Sequence, residues 1–261
     1  MFPIRIYQIV IGGSLDLQIQ NNKHWILFLN SFSANFVETY ALKQRLFDLD
    51  VHNAIFLPNC KQLTILSKQE LPSAFQKPIP ICTFSRVMKE KGIEESMDAI
   101  IKINTSYKQI VFHLDIFGQI DKKYEERFSG LLKKSPDYIQ YKGVIQSTHS
   151  TEVLKNYFLL LFLTHWENEG FAGAIIDAFS AGLPVIATNW GGNAEIIADR
   201  YTGRIVPLHD QERLISTLQE YVDEPMALIK MKQNCLYEAQ KYTPEQALKP
   251  LIETLIKNGG A

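Results

Sequence analysis

Two cations five positions apart, Arg86 and Lys91, lie in the run Phe84-Ser-Arg-Val-Met-Lys-Glu-Lys-Gly92. A fork-shaped guanidinium and a point-charge ammonium facing one crevice suit a diphosphate, and a solvated basic loop is the plainer alternative. A second group runs from Thr164 to Asp177, Thr-His-Trp-Glu-Asn-Glu-Gly-Phe-Ala-Gly-Ala-Ile-Ile-Asp. Gly170 and Gly173 permit close approach of the backbone, and a helix starting there offers free N–H groups and a positive dipole end to a phosphate. Asp177 is the only charged residue between Gly170 and Ala194, on a helix that is apolar almost all round. A buried carboxylate is costly unless hydrogen-bonded, so it must meet ligand hydroxyls or a protein donor, the latter as a structural salt bridge or cap. The third group is Thr188-Asn-Trp-Gly-Gly-Asn-Ala-Glu195, where two glycines turn the chain into a helix. Gly118 and Gly143, each read as lying just past a strand, add small residues along the same edge.

Other chemistries find little support. The six histidines show no H-x-x-x-H or H-x-x-E-H pairing, which argues against a histidine metal site. There is no G-x-S-x-G elbow, no Walker A sequence and no G-x-G-x-x-G after a strand. Cys60, Cys82 and Cys235 are scattered and form no C-x-x-C, as in a reducing compartment. With 27 Lys+Arg against 28 Asp+Glu, the 261 residues carry a net charge of −1, which argues against a surface-wide nucleic-acid footprint. The longest apolar run, Tyr157 to Leu163, has the length of a buried strand and falls short of a membrane span. The amino end lacks the basic start and small-residue cleavage site of a signal peptide.

The elements that must position these groups alternate from about residue 80. Strands are expected at Pro80–Phe84, Gln109–Phe117, Tyr138–Tyr141, Tyr157–Leu163 and Pro184–Thr188. Helices are expected at Ile93–Ile103, Asp121–Lys134, Ser150–Asn156, Gly170–Ala181 and Asn193–Ala198, with two or three more towards the carboxyl end. Such alternation predicts an α/β fold, a doubly wound and mostly parallel sheet whose ligands bind beyond the carboxyl ends of its strands. Residues 1–60 hold a strand ending at Gly12-Gly13, a helix over Asn22–Ser31, a strand at Asn35–Val37, a helix over Tyr40–Phe47 and a strand at Ala54–Leu57. We read 1–60 as the tail of a first Rossmann-like domain, 61–79 as a linker, 80–240 as the main domain and 241–261 as a carboxyl-terminal helix.

Together, Phe84-Ser-Arg86…Lys91-Gly92, Glu169-Gly-Phe-Ala-Gly…Asp177 with Ala178-Phe-Ser-Ala-Gly-Leu-Pro-Val-Ile-Ala-Thr188, and Gly191-Gly-Asn-Ala-Glu195 resemble the nucleotide-sugar-binding half of glycosyltransferase family 4. The resemblance implies the GT-B fold, here as one doubly wound Rossmann-like domain plus the remnant of a second. It implies that Arg86 and Lys91 hold the donor diphosphate and stabilise it as it leaves. By the same resemblance Glu169 contacts donor-sugar hydroxyls, and Asp177, one methylene shorter than the family's Glu, contacts the ribose. Gly170, Phe171, Ala172, Gly173, Gly118 and Val144 complete the implied donor-binding set. The implied reaction retains anomeric configuration and needs no cofactor or essential metal. A hexose passes from a UDP- or GDP-sugar to a glycan or lipid-linked glycan of a surface polysaccharide. The implied setting is cytoplasmic, with the inner membrane face open to peripheral association. The alternative is a non-catalytic nucleotide-sugar-binding fragment, or one subunit of a split enzyme with a separate amino-terminal half.

Overall fold

A computed structural model of the protein describes residues 4–20, 22–62, 64–72 and 77–259. Positions 1–3 and parts of the linker and carboxyl-terminal readings (63, 73–76, 260–261) lie outside the described residues.

Two parallel sheets form. The first has three strands in sequence order, β1 (Tyr7–Val10), β2 (Ala34–Val37) and β3 (Ala54–Phe56). Its helices are α1 (Leu15–Ile19), α2 (Lys23–Asn30) and α3 (Tyr40–Asp48). The second has six strands: β4 (Ile79–Phe84), β5 (Phe112–Phe117), β6 (Ile139–Gly143), β7 (Leu159–Phe162), β8 (Val185–Thr188) and β9 (Gly203–Val206). Between them run α4 (Ile93–Ser106), α5 (Glu125–Lys134), α6 (Ser150–Leu154), α7 (Gly173–Ser180) and α8 (Asn193–Ile196). Helices α9 (Gln211–Asp223), α10 (Met226–Ala239), α11 (Pro244–Ala247) and α12 (Lys249–Gly259) follow.

The larger sheet has the order β6-β5-β4-β7-β8-β9, so the winding reverses between β4 and β7. That reversal opens a crevice at the carboxyl ends of these two strands, the place where doubly wound sheets bind ligands. The residues that follow β4 carry Arg86 and Lys91, and those that follow β7 carry Glu169. Strands β7 (Leu-Leu-Leu-Phe) and β8 (Val-Ile-Ala-Thr) are buried at every position, as expected of central parallel strands covered on both faces.

Several boundaries differ from expectation for local reasons. The helix placed at Asp121 begins at Glu125, because the Asp121 carboxylate accepts from the Lys123 N–H at 2.9 Å and makes a turn. The strand placed at Gln109 begins at Phe112, since the Asn104 side chain takes the N–H groups of Val111 and Phe112. The helix placed at Gly170 begins at Gly173, and Gly143 is the last residue of β6 rather than the residue past it. Helix α1 was not anticipated.

The carboxyl edges of the two sheets face each other. The Glu195 carboxylate, on α8, accepts from the N–H groups of Tyr40 (2.6 Å) and Ala41 (2.8 Å) at the start of α3. A negative charge there satisfies two orphan donors and complements the helix dipole. Glu195→Ala should therefore destabilise the protein by about 1 kcal/mol, the usual value of an N-terminal cap. Hydrogen exchange should speed up at Tyr40 and Ala41 first, and unchanged exchange there would show that the carboxylate caps nothing.

Candidate active site

The site is built on the switch point. Arg86, just past β4, is exposed, and its guanidinium carbon lies 4.8 Å from the centroid of the Trp166 ring. Lys91 closes a short 3-10 turn after β4 and is buried, with its ammonium ion-paired to the Glu169 carboxylate. That ammonium also lies 4.7 Å from the Trp166 ring and 5.6 Å from Phe162. Burial lowers the Lys91 pKa from its ordinary value; the Glu169 carboxylate offsets part of this, and the Arg86 charge adds to the lowering. Glu169 is buried too and accepts a second bond from the Thr164 hydroxyl at 2.8 Å. Arg86, Lys91 and Glu169 together leave one net positive charge at the crevice mouth.

The chain then passes under neighbouring backbone. A Cβ on Gly170 would lie 2.8 Å from Gly12, one on Gly13 would lie 2.5 Å from the Glu169 carbonyl oxygen, and one on Gly191 2.6 Å from that same oxygen. Gly192 closes the floor by donating to the Gly170 carbonyl at 3.2 Å. Ala172, at φ −71 and ψ 104, is still extended, and the helix starts only after it. Phe171 is buried against Tyr242, and its carbonyl accepts from the Asn59 side chain. Ala172 is the N-cap of α7 and provides no side-chain cap, so N–H groups at that end stay open to an anion. Gly173 is the first residue of α7, and Lys61 lies over it, its Nζ 3.3 Å from where a Cβ would stand.

Asp177 is buried as expected, and its donors belong to the protein. The Lys61 ammonium pairs with one carboxylate oxygen and the Ser150 hydroxyl donates to the other at 3.0 Å. Of the two sequence alternatives, the structural salt bridge is what the structure contains. Gly118 follows β5 with φ +138, and a Cβ there would fall 1.6 Å from the Ser85 carbonyl oxygen, so the position admits only glycine. Its N–H donates to the Gly143 carbonyl at 2.9 Å, tying the loop after β5 to the end of β6, where the next loop begins. Val144 is exposed on the latter loop, outside the ion-paired cluster.

Sequence reasoning missed Lys61, Ser150 and Glu38. Glu38 follows β2, is buried, and receives the Gly12 N–H at 3.0 Å. Burial raises its pKa, with the backbone N–H groups of Gly12 and Phe171 pulling it back down. A lone carboxylate after the apolar strand Ala-Asn-Phe-Val was a signal of the kind that drew attention to Asp177. Among the described residues no cluster of three or more His, Cys, Asp or Glu is placed to hold a metal, and no helix is long and apolar enough to cross a membrane.

Two parallel Rossmann-like sheets meeting edge to edge, with cations and an uncapped helix start at the switch point, define an α/β protein of the GT-B type. The chain belongs to the family of glycosyl transferases group 1, whose model matches residues 67–242. Among relatives, the GtfA subunit of a UDP-N-acetylglucosamine–peptide N-acetylglucosaminyltransferase from Streptococcus gordonii is 26% identical over 219 residues, 81% of this chain and 42% of that protein. The putative colanic acid biosynthesis glycosyltransferase WcaL of Salmonella typhimurium is 24% identical over 151 residues, 55% of this chain and 36% of that one. The chain thus spans less than half the length of these two relatives. Among solved structures, HepE of Anabaena in complex with UDP superposes with a TM-score of 0.81 at 15% identity, covering 97% of this chain and 72% of that one. Pneumococcal GtfA in complex with UDP and GlcNAc superposes at 0.75 with 19% identity, covering 97% and 52%. At these identities the likeness is one of fold.

Proposed function

We propose that the chain binds the nucleotide-sugar donor of a retaining hexosyl transfer, with residues 80–240 as the donor domain. The observation that carries this reading is the convergence of Arg86, Lys91 and Glu169 beside the open start of α7. As the glycosidic bond breaks, the departing diphosphate gains negative charge. Fixed cations and helix N–H groups aimed at it lower the barrier without having to reorganise. Glu169, oriented by Lys91 and Thr164, is the acceptor for a donor-sugar hydroxyl. Asp177 takes the ribose hydroxyls, for which it must give up its bond to Lys61. Uridine is the base we favour, because HepE and GtfA are described with UDP. The acceptor is a glycan or lipid-linked glycan of a surface polysaccharide, in keeping with the relative WcaL, and the setting is cytoplasmic. No cofactor or essential metal enters this scheme.

A second reading, donor-binding subunit of a split enzyme, is favoured by the front sheet. Strand β1 is its edge, with Ile9 on it 54% exposed and Ile11 just past it 85% exposed, and Trp25, Leu27 and Phe28 on α2 are also exposed. An apolar parallel edge of this kind suits a further strand and helix from a partner. GtfA, for comparison, is described in a GtfA/B complex.

Calorimetric titration with UDP and GDP, with and without EDTA, tests the reading. UDP binding that survives EDTA and disappears in Arg86→Ala/Lys91→Ala is the expected result. A folded chain that binds neither nucleotide would overturn it.

A further inference from the structure

We propose that Trp166 is a positioning residue for the diphosphate site, its indole holding the Arg86 guanidinium and the Lys91 ammonium in register before any donor arrives. The inference rests on the donor reading above and concerns how the two cations stay in place.

Both cations lie within 5 Å of the same ring centroid, at 4.8 Å and 4.7 Å. They repel one another, as the part played by Arg86 in lowering the Lys91 pKa reflects. Lys91 has a carboxylate to hold it, Glu169. Arg86 does not: among the described residues no ion pair or side-chain hydrogen bond engages its guanidinium, which rests on the indole. A cation held by a π face keeps its N–H edges free, so all five Arg86 donors remain available for phosphate oxygens. A carboxylate in the same place would have to be displaced by the ligand.

The main chain that carries the ring is pinned on both sides of its Cα. The Trp166 carbonyl accepts the indole N–H of Trp190 at 2.7 Å, and its N–H donates to the Thr164 hydroxyl at 3.2 Å. That hydroxyl donates in turn to Glu169, so Thr164 ties the ring's backbone and the Lys91 counter-ion to one atom. Trp166 is only half-buried, which leaves its faces to the cations rather than to the core. Without the π face, an exposed arginine repelled by a buried lysine swings into solvent, and binding must reorder it at an entropic cost.

Site-specific replacement of Trp166 by tryptophans carrying one to four ring fluorines separates this role from packing. Fluorination drains the negative face of the ring and changes its shape little. UDP affinity by calorimetry should fall stepwise with each fluorine, about tenfold across the series, given the usual strength of cation–π contacts, while thermal stability stays constant. Trp166→Phe should retain more affinity than Trp166→Leu. Affinity that stays flat or rises across the series, or that falls only in step with thermal stability, would overturn the proposal. Failure of the unsubstituted chain to bind UDP would overturn the donor reading, and this one with it.

Discussion

Lys91→Ala is expected to abolish donor binding and to destabilise the fold at the same time, by two separable routes. The ammonium is buried between Glu169 and the Trp166 and Phe162 rings. Removing one partner of a buried ion pair strands the other charge and typically costs about 3–5 kcal/mol. Glu169 would keep only the Thr164 hydroxyl. Separately, on the proposed donor reading the diphosphate loses one of its two cations, and removal of one such group commonly lowers rates by about 10²–10³-fold. Lys91→Met/Glu169→Gln separates the routes, because it leaves no buried charge and should recover thermal stability without recovering UDP affinity. A double variant that binds UDP as tightly as the parent would remove Lys91 from the site. Lys91→Arg should not rescue, since a planar fork does not fit a slot shaped for an ammonium.

The lowered Lys91 pKa adds a pH dependence. Between its folded value and the ordinary lysine value the unfolded state holds the extra proton, so stability rises with pH in that window. UDP binding should run the opposite way, weakening as pH climbs through the folded value, because the neutral amine no longer attracts phosphate. The loss should come below the ordinary lysine range.

Lys232→Met is expected to stabilise the protein at neutral pH. Lys232, on α10, is fully buried; its ammonium donates to the Tyr157 carbonyl at 2.7 Å and sits 5.0 Å from the Phe158 ring. Among the described residues no carboxylate pairs with it, and burial lowers its pKa from 10.5 to about 8. Below pH 8 the amine is charged in both states, and the depressed value corresponds to about 3 kcal/mol of unfavourable burial. Methionine keeps the stem's volume and forfeits one hydrogen bond of about 1 kcal/mol, for a net gain of about 1–2 kcal/mol. The sign is checkable by titration. From pH 8 to 10.5 the unfolded chain binds more protons, so the parent gains stability and the variant's advantage shrinks. Thermal unfolding at pH 7 and pH 10 measures both. A variant less stable at both values would mean that the bond to Tyr157 outweighs the cost of burying the charge.

Strand and helix alternation was legible because buried parallel strands are short apolar runs and the glycines mark their ends. The five strands expected after residue 80 form, each within three residues of its expected start, and β9 at Gly203–Val206 adds a sixth. Helix α1 was not, because Gly12-Gly13-Ser14 reads as a turn and five residues are too few for periodicity to register. Asp177 was legible as a carboxylate that must find a donor; its partner was not, since Lys61 lies 116 positions away on the segment joining the sheets. Trp166 was legible only as a member of the Thr164–Asp177 run. Its contact with both cations depends on rotamers and on the meeting of loops after β4 and β7, which spacing does not encode.

The floor of the crevice, where Gly13, Gly170, Gly191 and Gly192 bring three stretches of main chain together without room for a Cβ, bears on how this protein can be redesigned. Saturation libraries at those four positions should return the parent residue and little else. On the donor reading proposed above, a change of donor preference has to be written in the side chains standing around that floor. Asn168, exposed and held by the Ser14 hydroxyl at 2.9 Å, is the letter to edit, whereas Trp190, seated on the Trp166 carbonyl, is not.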